Sequence, residues 1–121
     1  MRPAGIHHVS INVSDLEVAR RFYVDVLGFT ERTDRPALDV EGAWLDAAGQ
    51  QVHLIVAEPA PFVGQHFAVR VDDVTAAVAE LRDRGVRVST PVVVGTGVQC
   101  FLRDPSGNGV ELNQPGGGAR P

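Results

Sequence analysis

Four side chains in this sequence have the types and the spacing to hold a metal ion: His8, His53, His66 and Glu111. His8 stands the same distance before His66 as His53 stands before Glu111. Three imidazoles and one carboxylate make an N₃O donor set. Such a set suits one divalent transition metal (Fe, Ni, Co, Mn or Zn) rather than Ca or Mg, which prefer all-oxygen surroundings. Four ligands leave two octahedral positions for water or for two substrate oxygens. A site of this kind can polarise a bound carbonyl, stabilise an enediolate, or activate O₂ on Fe(II). A single strand histidine is usually just a hydrogen-bonded polar residue, and a single glutamate a surface carboxylate. The recurrence of the four at equivalent positions is what points to a site.

The recurrence extends to the surrounding chain. His8-Val9-Ser10-Ile11-Asn12-Val13-Ser14-Asp15 falls on His66-Phe67-Ala68-Val69-Arg70-Val71-Asp72-Asp73, matching His, Val and Asp. At the same offset Asp46-x-x-Gly49-x-x-Val52-His53-Leu54 falls on Asp104-x-x-Gly107-x-x-Val110-Glu111-Leu112. This implies a duplication: module one over about 5–58 and module two over about 64–114, joined through Glu58-Pro59-Ala60-Pro61 within one domain over 1–114. The tail, 115–121, is Gly- and Pro-rich and reads as flexible.

Each module carries the pattern βαβββ, an α+β arrangement. Residues 7–13 alternate as a strand, with Val9, Ile11 and Val13 on one face and His8, Ser10 and Asn12 on the other. Ser14-x-x-Glu17 can form a capping box, and Leu16, Ala19, Phe22, Tyr23, Val26 and Leu27 recur at helical spacing up to a stop at Gly28. Strands are expected at Phe29–Arg32, Ala43–Asp46 and Gln51–Ala57, with a turn at Asp46–Gly49. In module two they are expected at His66–Val71, Val86–Ser89, Gln99–Arg103 and Val110–Asn113, with a helix over Val74–Arg84 stopped by Gly85. Asp15 and Asp73 read as helix-start residues, and His7 as structural. Strand phase puts His8, His53, His66 and Glu111 on the faces turned away from the helices, where a pseudo-twofold could bring them together. Asn12 and Arg70 share those faces, and Trp44, Gln99 and Phe101 are candidate cavity-lining residues. Arg70 could hold a substrate carboxylate.

Composition removes several alternatives. All eleven basic residues are Arg, so no lysine is available for a Schiff base or a P-loop. A net charge of −4 without a basic run argues against nucleic acid. No G-x-S-x-G elbow and no long apolar span are present, so neither a serine hydrolase nor a membrane protein is expected. Cys100 is the one cysteine and lies in an apolar run, as a packed thiol does in a reducing, cytoplasmic setting.

The motif His8-Val9-x-Ile11-x-Val13-x-Asp15-Leu16 with Phe22-Tyr23-x-x-x-Leu27-Gly28-Phe29 resembles the opening of the vicinal oxygen chelate superfamily, which includes glyoxalases, bleomycin-resistance proteins, epimerases and extradiol dioxygenases. His66–Asp73 resembles its second-module opening, and Phe101-Leu102-Arg103-Asp104-Pro105-Ser106-Gly107-Asn108-Gly109-Val110-Glu111-Leu112 its closing strand pair. The resemblance implies a glyoxalase-like fold of two tandem βαβββ modules, with a mixed curved sheet around a central metal-containing cavity. In chains this short the cavity often forms across a homodimer. The resemblance also implies a small-molecule substrate that chelates the metal through vicinal oxygens. His8, His66 and Glu111 match the recurring ligands. His53 stands where glyoxalases carry Glu and epimerases Gln. Glu111 is the better candidate base and His53 the other. Glyoxalase-like lyase or isomerase chemistry is the first expectation. Extradiol Fe(II) cleavage and non-catalytic drug binding, as in bleomycin-resistance members, are the alternatives.

Overall fold

A computed structural model describes residues 1–116. The chain divides into two compact units, Met1–Pro61 with Pro105–Gly107, and Phe62–Asp104 with the residues from Asn108 on. Most of the expected tail, 115–121, lies outside the described residues.

The first unit is built from β1 (His8–Val13), α1 (Leu16–Arg20) continuing as a π-helical stretch (Arg21–Val26), β2 (Thr30–Glu31), β3 (Gly42–Ala47) and β4 (Gln50–Val56). The strands form one sheet in the order β1-β4-β3-β2, with β1 parallel to β4 and the other pairs antiparallel. The helix covers one face. Val13, Leu45 and Leu54 of the sheet and Tyr23 of the helix are essentially inaccessible, each contributing roughly 1.5–3 kcal/mol of hydrophobic stabilisation. The amide of Leu27 reaches back to the carbonyl of Phe22, one residue further than an α-helix would, and that widened turn keeps both Phe22 and Tyr23 in the core.

The capping box at Ser14 does not form. Asp15 is the N-cap, its carboxylate accepting from the Val18 amide at 3.1 Å. The Ser14 amide donates instead to Ser106 Oγ, and Glu17 pairs with Arg20. With Ser14 committed elsewhere, the next residue with a carboxylate takes the cap. Asp73 caps the second helix in the same way, through the Ala76 amide at 3.0 Å.

The second unit repeats the plan with β5 (His66–Arg70), α2 (Val74–Asp83), β6 (Val92–Val94), β7 (Gly97–Arg103) and β8 (Gly109–Gln114), in the order β5-β8-β7-β6. Val78, Leu81, Cys100, Leu102, Val110 and Leu112 form its core. The helix ends in a Schellman turn: Gly85, at φ 81°, donates to Arg82 and Val86 donates to Leu81.

Two further expectations from the sequence need correction. The strand placed at Val86–Ser89 is not a strand; β6 lies further on, at Val92–Val94. Arg82 donates to the Val88 carbonyl, and Ser89 meets β7 through its amide, which donates to the Phe101 carbonyl, and its Oγ, which takes the Phe101 amide, so the segment touches β7 without forming a regular ladder. The two modules are also not in constant phase. β4 and β8 match at the offset that aligns the histidines, but the register pairs Trp44 with His53 and Phe101 with Glu111. Trp44 therefore corresponds to Phe101, one residue earlier than that offset gives. Ala48-Gly49 makes the first hairpin with two residues, whereas the second closes between Asp104 and Asn108 and is one residue longer. Asp46 and Asp104 match in sequence but not in position.

Candidate metal centre

The structure sorts the four candidate ligands into two pairs, one on the open face of each sheet. In the second unit, His66 Nε2 lies 3.0 Å from Glu111 Oε1. Glu111 is only 7% exposed. Its other oxygen accepts from Asn113 Nδ2 at 2.8 Å. His66 Nδ1 lies 2.8 Å from the Gly64 carbonyl oxygen. A carbonyl only accepts, so Nδ1 carries the proton. The Nε2 lone pair then faces a carboxylate oxygen, and that contact is favourable only with a cation between them, a proton or a metal ion. Histidine ligands characteristically donate their other N–H to a carbonyl in this way. The spacing fits as well, because two ligand atoms about 2.1 Å from one ion and at right angles lie about 3.0 Å apart. Phe101 closes one side, its ring edge-on to His66 with centroids 5.2 Å apart.

In the first unit, His8 and His53 stack at 3.9 Å with an interplanar angle of 13°. Trp44 lies on the opposite face of His53 at 4.6 Å and 11°. Register explains the sandwich: Trp44 is the direct cross-strand partner of His53, and His8 lies diagonally across on β1. His7 Nδ1 contacts His8 Nδ1 at 2.9 Å, leaving His8 Nε2 uninvolved. His53 Nε2 lies 2.8 Å from Gln51 Oε1, so ligation through that nitrogen requires Gln51 to yield. Burial lowers the His53 pKa, helped by the charges of His8, His7, Arg35 and Arg32. His53 is thus held as the neutral, ligand-competent imidazole. The second pair fits a divalent metal as it stands, and the first offers one open nitrogen and one engaged with Gln51. Among the described residues, no group of three or more His, Cys, Asp or Glu side chains that could hold a metal forms.

Asn12 donates to the Glu58 carbonyl at 3.0 Å. Arg70 is exposed and has no carboxylate partner among the described residues. Gln99 and Phe101 lie on the same face as Glu111, as the register of β7 with β8 requires. Sequence reasoning overlooked Gln51 and Asn113, which bond the ligand side chains. Each stands two positions from a candidate ligand on the same strand, so strand phase could have found both. It had placed His7 in the fold only, but the ring touches His8. Cys100 is buried and free, as expected, and burial raises its pKa. A wide-mouthed hollow of about 860 Å3 runs along Val86–Ser89 and Phe101–Arg103. It includes none of the four candidate ligands and lies where the expected strand is absent, so its size is no guide to the chemistry.

Paired βαβββ units, each with an imidazole at the start of its first strand and a second donor on its last, define the architecture expected of vicinal oxygen chelate proteins. The chain belongs to the Glyoxalase/Bleomycin resistance protein/Dioxygenase superfamily, whose family model matches residues 5–112. It is 35% identical to YaeR, an uncharacterised protein of Escherichia coli (strain K12), over 88% of this chain and 93% of that one. It is 30% identical to a protein of Synechocystis sp. named "Probable lactoylglutathione lyase", over 88% and 92%. Among solved structures it resembles TnmS3, an antibiotic binding protein from Streptomyces sp. CB03234, at 33% identity and a TM-score of 0.79, covering 95% of this chain and 98% of that one. No helix among the described residues is long and apolar enough to cross a membrane.

Proposed function

We propose that the protein is a divalent-metal-dependent enzyme acting on a small molecule that presents two vicinal oxygens, with His8, His53, His66 and Glu111 as the ligands. The observation that carries this reading is the His66–Glu111 pair. A histidine whose Nδ1–H is spent on Gly64 faces a buried carboxylate at 3.0 Å, in a geometry that calls for a cation. The metal, one of Fe, Ni, Co, Mn or Zn, would polarise a substrate carbonyl. Glu111 would then take the proton from the adjacent carbon, with Asn113 holding its second oxygen in place. His53 is the other candidate for proton transfer. Asn12, Trp44, Arg70, Gln99 and Phe101 would border the substrate. This is lyase or isomerase chemistry of the glyoxalase type. A second copy of the chain is the proposed partner, each module contributing one pair of ligands to a shared ion.

Metal analysis of protein purified without chelator tests the reading. About one equivalent per site, lost in His66→Ala, is expected. Uptake below ~0.2 equivalents even after metal is added would overturn it. The resemblance to TnmS3 favours a second reading, a binding protein that sequesters a small molecule without turning it over. Its signature would be tight ligand binding unaffected by chelator. Extradiol cleavage by Fe(II) needs an open position that a coordinating His53 would fill, and it would show as O₂ consumption with a catechol.

A further inference from the structure

We infer that the open face of the second sheet seats an amphipathic carboxylate, with its anionic end at Arg70 and its apolar body across Phe101, Val92 and Val94. Where this places the substrate of the proposed metalloenzyme, it rests on that reading; the seat itself is built from the second unit alone.

Directly paired residues in a sheet present their side chains on the same face. One row across the second sheet reads Arg70–Asn113–Gln99–Val92, through successive strand pairs. The neighbouring row reads Ala68–Glu111–Phe101. His66, Glu111, Asn113 and Phe101 touch one another on that face. The row therefore runs beside the ligand pair, from a cation at one edge of the sheet to an apolar residue at the other. Three strand spacings separate the ends, about 14 Å, which is the scale of a small molecule.

The two ends differ in character and both are accessible. Arg70 is exposed, with no carboxylate partner among the described residues. Val92 and Val94 are 57% and 52% exposed, and Val94, paired with Gly97, shares the face with Val92. An uncharged edge strand of three valines is not the usual protected edge, which carries charges or proline. The only acid in the two rows is Glu111, and both its oxygens are taken by His66 and Asn113. The guanidinium is thus left for an anion, and its planar fork suits a carboxylate. Phe101 continues the apolar wall toward the ligand pair. A ligand with a carboxylate at one end and a ring or branched hydrocarbon at the other matches all three features. A fully polar anion leaves the valines wet, and a neutral hydrocarbon leaves Arg70 unused.

Calorimetry on the full chain, with and without added Zn²⁺, tests this with three probes: 6-phenylhexanoate, whose length matches the row, its neutral amide, and propanoate. The acid should bind about tenfold or more tighter than either of the others. Arg70→Met should reduce the acid to the level of the amide and leave the amide unchanged. Val92→Ser with Val94→Ser should weaken the acid and the amide alike and leave propanoate unchanged. Circular dichroism confirms that each variant is folded. Equal affinity for acid and amide, an Arg70→Met variant that binds like the parent, or no binding of the acid at about 10 mM would each overturn the inference. Metal uptake without probe binding would defeat the seat and leave the proposed function standing. Probe binding dependent on Arg70 but no metal uptake would do the reverse.

Discussion

Glu111→Gln separates a metal ligand from a structural carboxylate. In the parent, Oε1 faces the His66 Nε2 lone pair and Oε2 accepts from Asn113. Glutamine has the same shape. Its amide nitrogen can donate to His66 Nε2 while its oxygen accepts from Asn113, so both contacts survive without a cation. Stability without metal should therefore change by less than about 1 kcal/mol. Metal affinity should collapse, because a neutral amide replaces the charged donor. Loss of a supporting outer-shell partner alone costs about 10–100-fold, so loss of this ligand should cost at least about 100-fold, or about 2.7 kcal/mol. Glu111→Ala provides the contrast. It leaves His66 Nε2 and Asn113 Nδ2 without partners, at about 1–3 kcal/mol for each group that stays buried. Urea denaturation followed by circular dichroism measures stability, and competition with a chelating dye measures metal affinity. The reasoning fails if Glu111→Gln binds metal within about threefold of the parent, or if it destabilises the metal-free protein as much as alanine does.

Three other expectations follow from local geometry. Trp44 is the sole tryptophan and stacks on His53, so metal binding through His53 should change its fluorescence; uptake with an unaltered spectrum would remove His53 from the ligand set. Metal-free protein should lose stability as pH falls below about 6.5, the ordinary value from which the His53 pKa is lowered. Below that pH the unfolded chain binds a proton that the folded one refuses, so acid favours unfolding; His53→Gln should flatten the pH dependence in urea melts, and an unchanged slope would count against it. Ala48 adopts φ 49° beside Gly49 in the first hairpin, a conformation that disfavours a Cβ. Ala48→Asn should stabilise by about 0.5–1 kcal/mol in thermal or urea melts.

The strand phase of His8, His66 and Glu111 could be read in the sequence because each sits in a run of alternating apolar residues, and alternation fixes which way a side chain points. The helix cap at Asp73 and both glycine stops could be read for similarly local reasons, whereas at the first helix the Ser14 capping box competed with Asp15 until Ser106 engaged Ser14. What failed was non-local. Val86–Ser89 has the composition of a strand, but Arg82 and Ser89 satisfy its neighbourhood from the side. The matching Asp46 and Asp104 suggested constant phase through each hairpin, yet the turns differ by one residue and Trp44 pairs with His53 as Phe101 does with Glu111. Gln51 and Asn113 escaped notice because the search was for imidazole and carboxylate ligands, and neither amide is one of these. Both instead bond the candidate ligands two positions away.

That difference between the modules bears on the chemistry. Glu111 is flanked by Asn113, a donor that holds one carboxylate oxygen in place. His53 is flanked by Gln51 and sandwiched between two rings, an environment that holds it neutral and fixes its plane. A carboxylate at position 53 would be squeezed between the rings of His8 and Trp44 and desolvated there, with the Gln51 amide as its polar neighbour. The stack fits a flat neutral ring better than a carboxylate, which under the proposed function favours Glu111 over His53 for proton transfer. Substituting His53→Glu should then fail to add a second base. A variant with raised lyase activity would show that the ring stack does not set the residue's role.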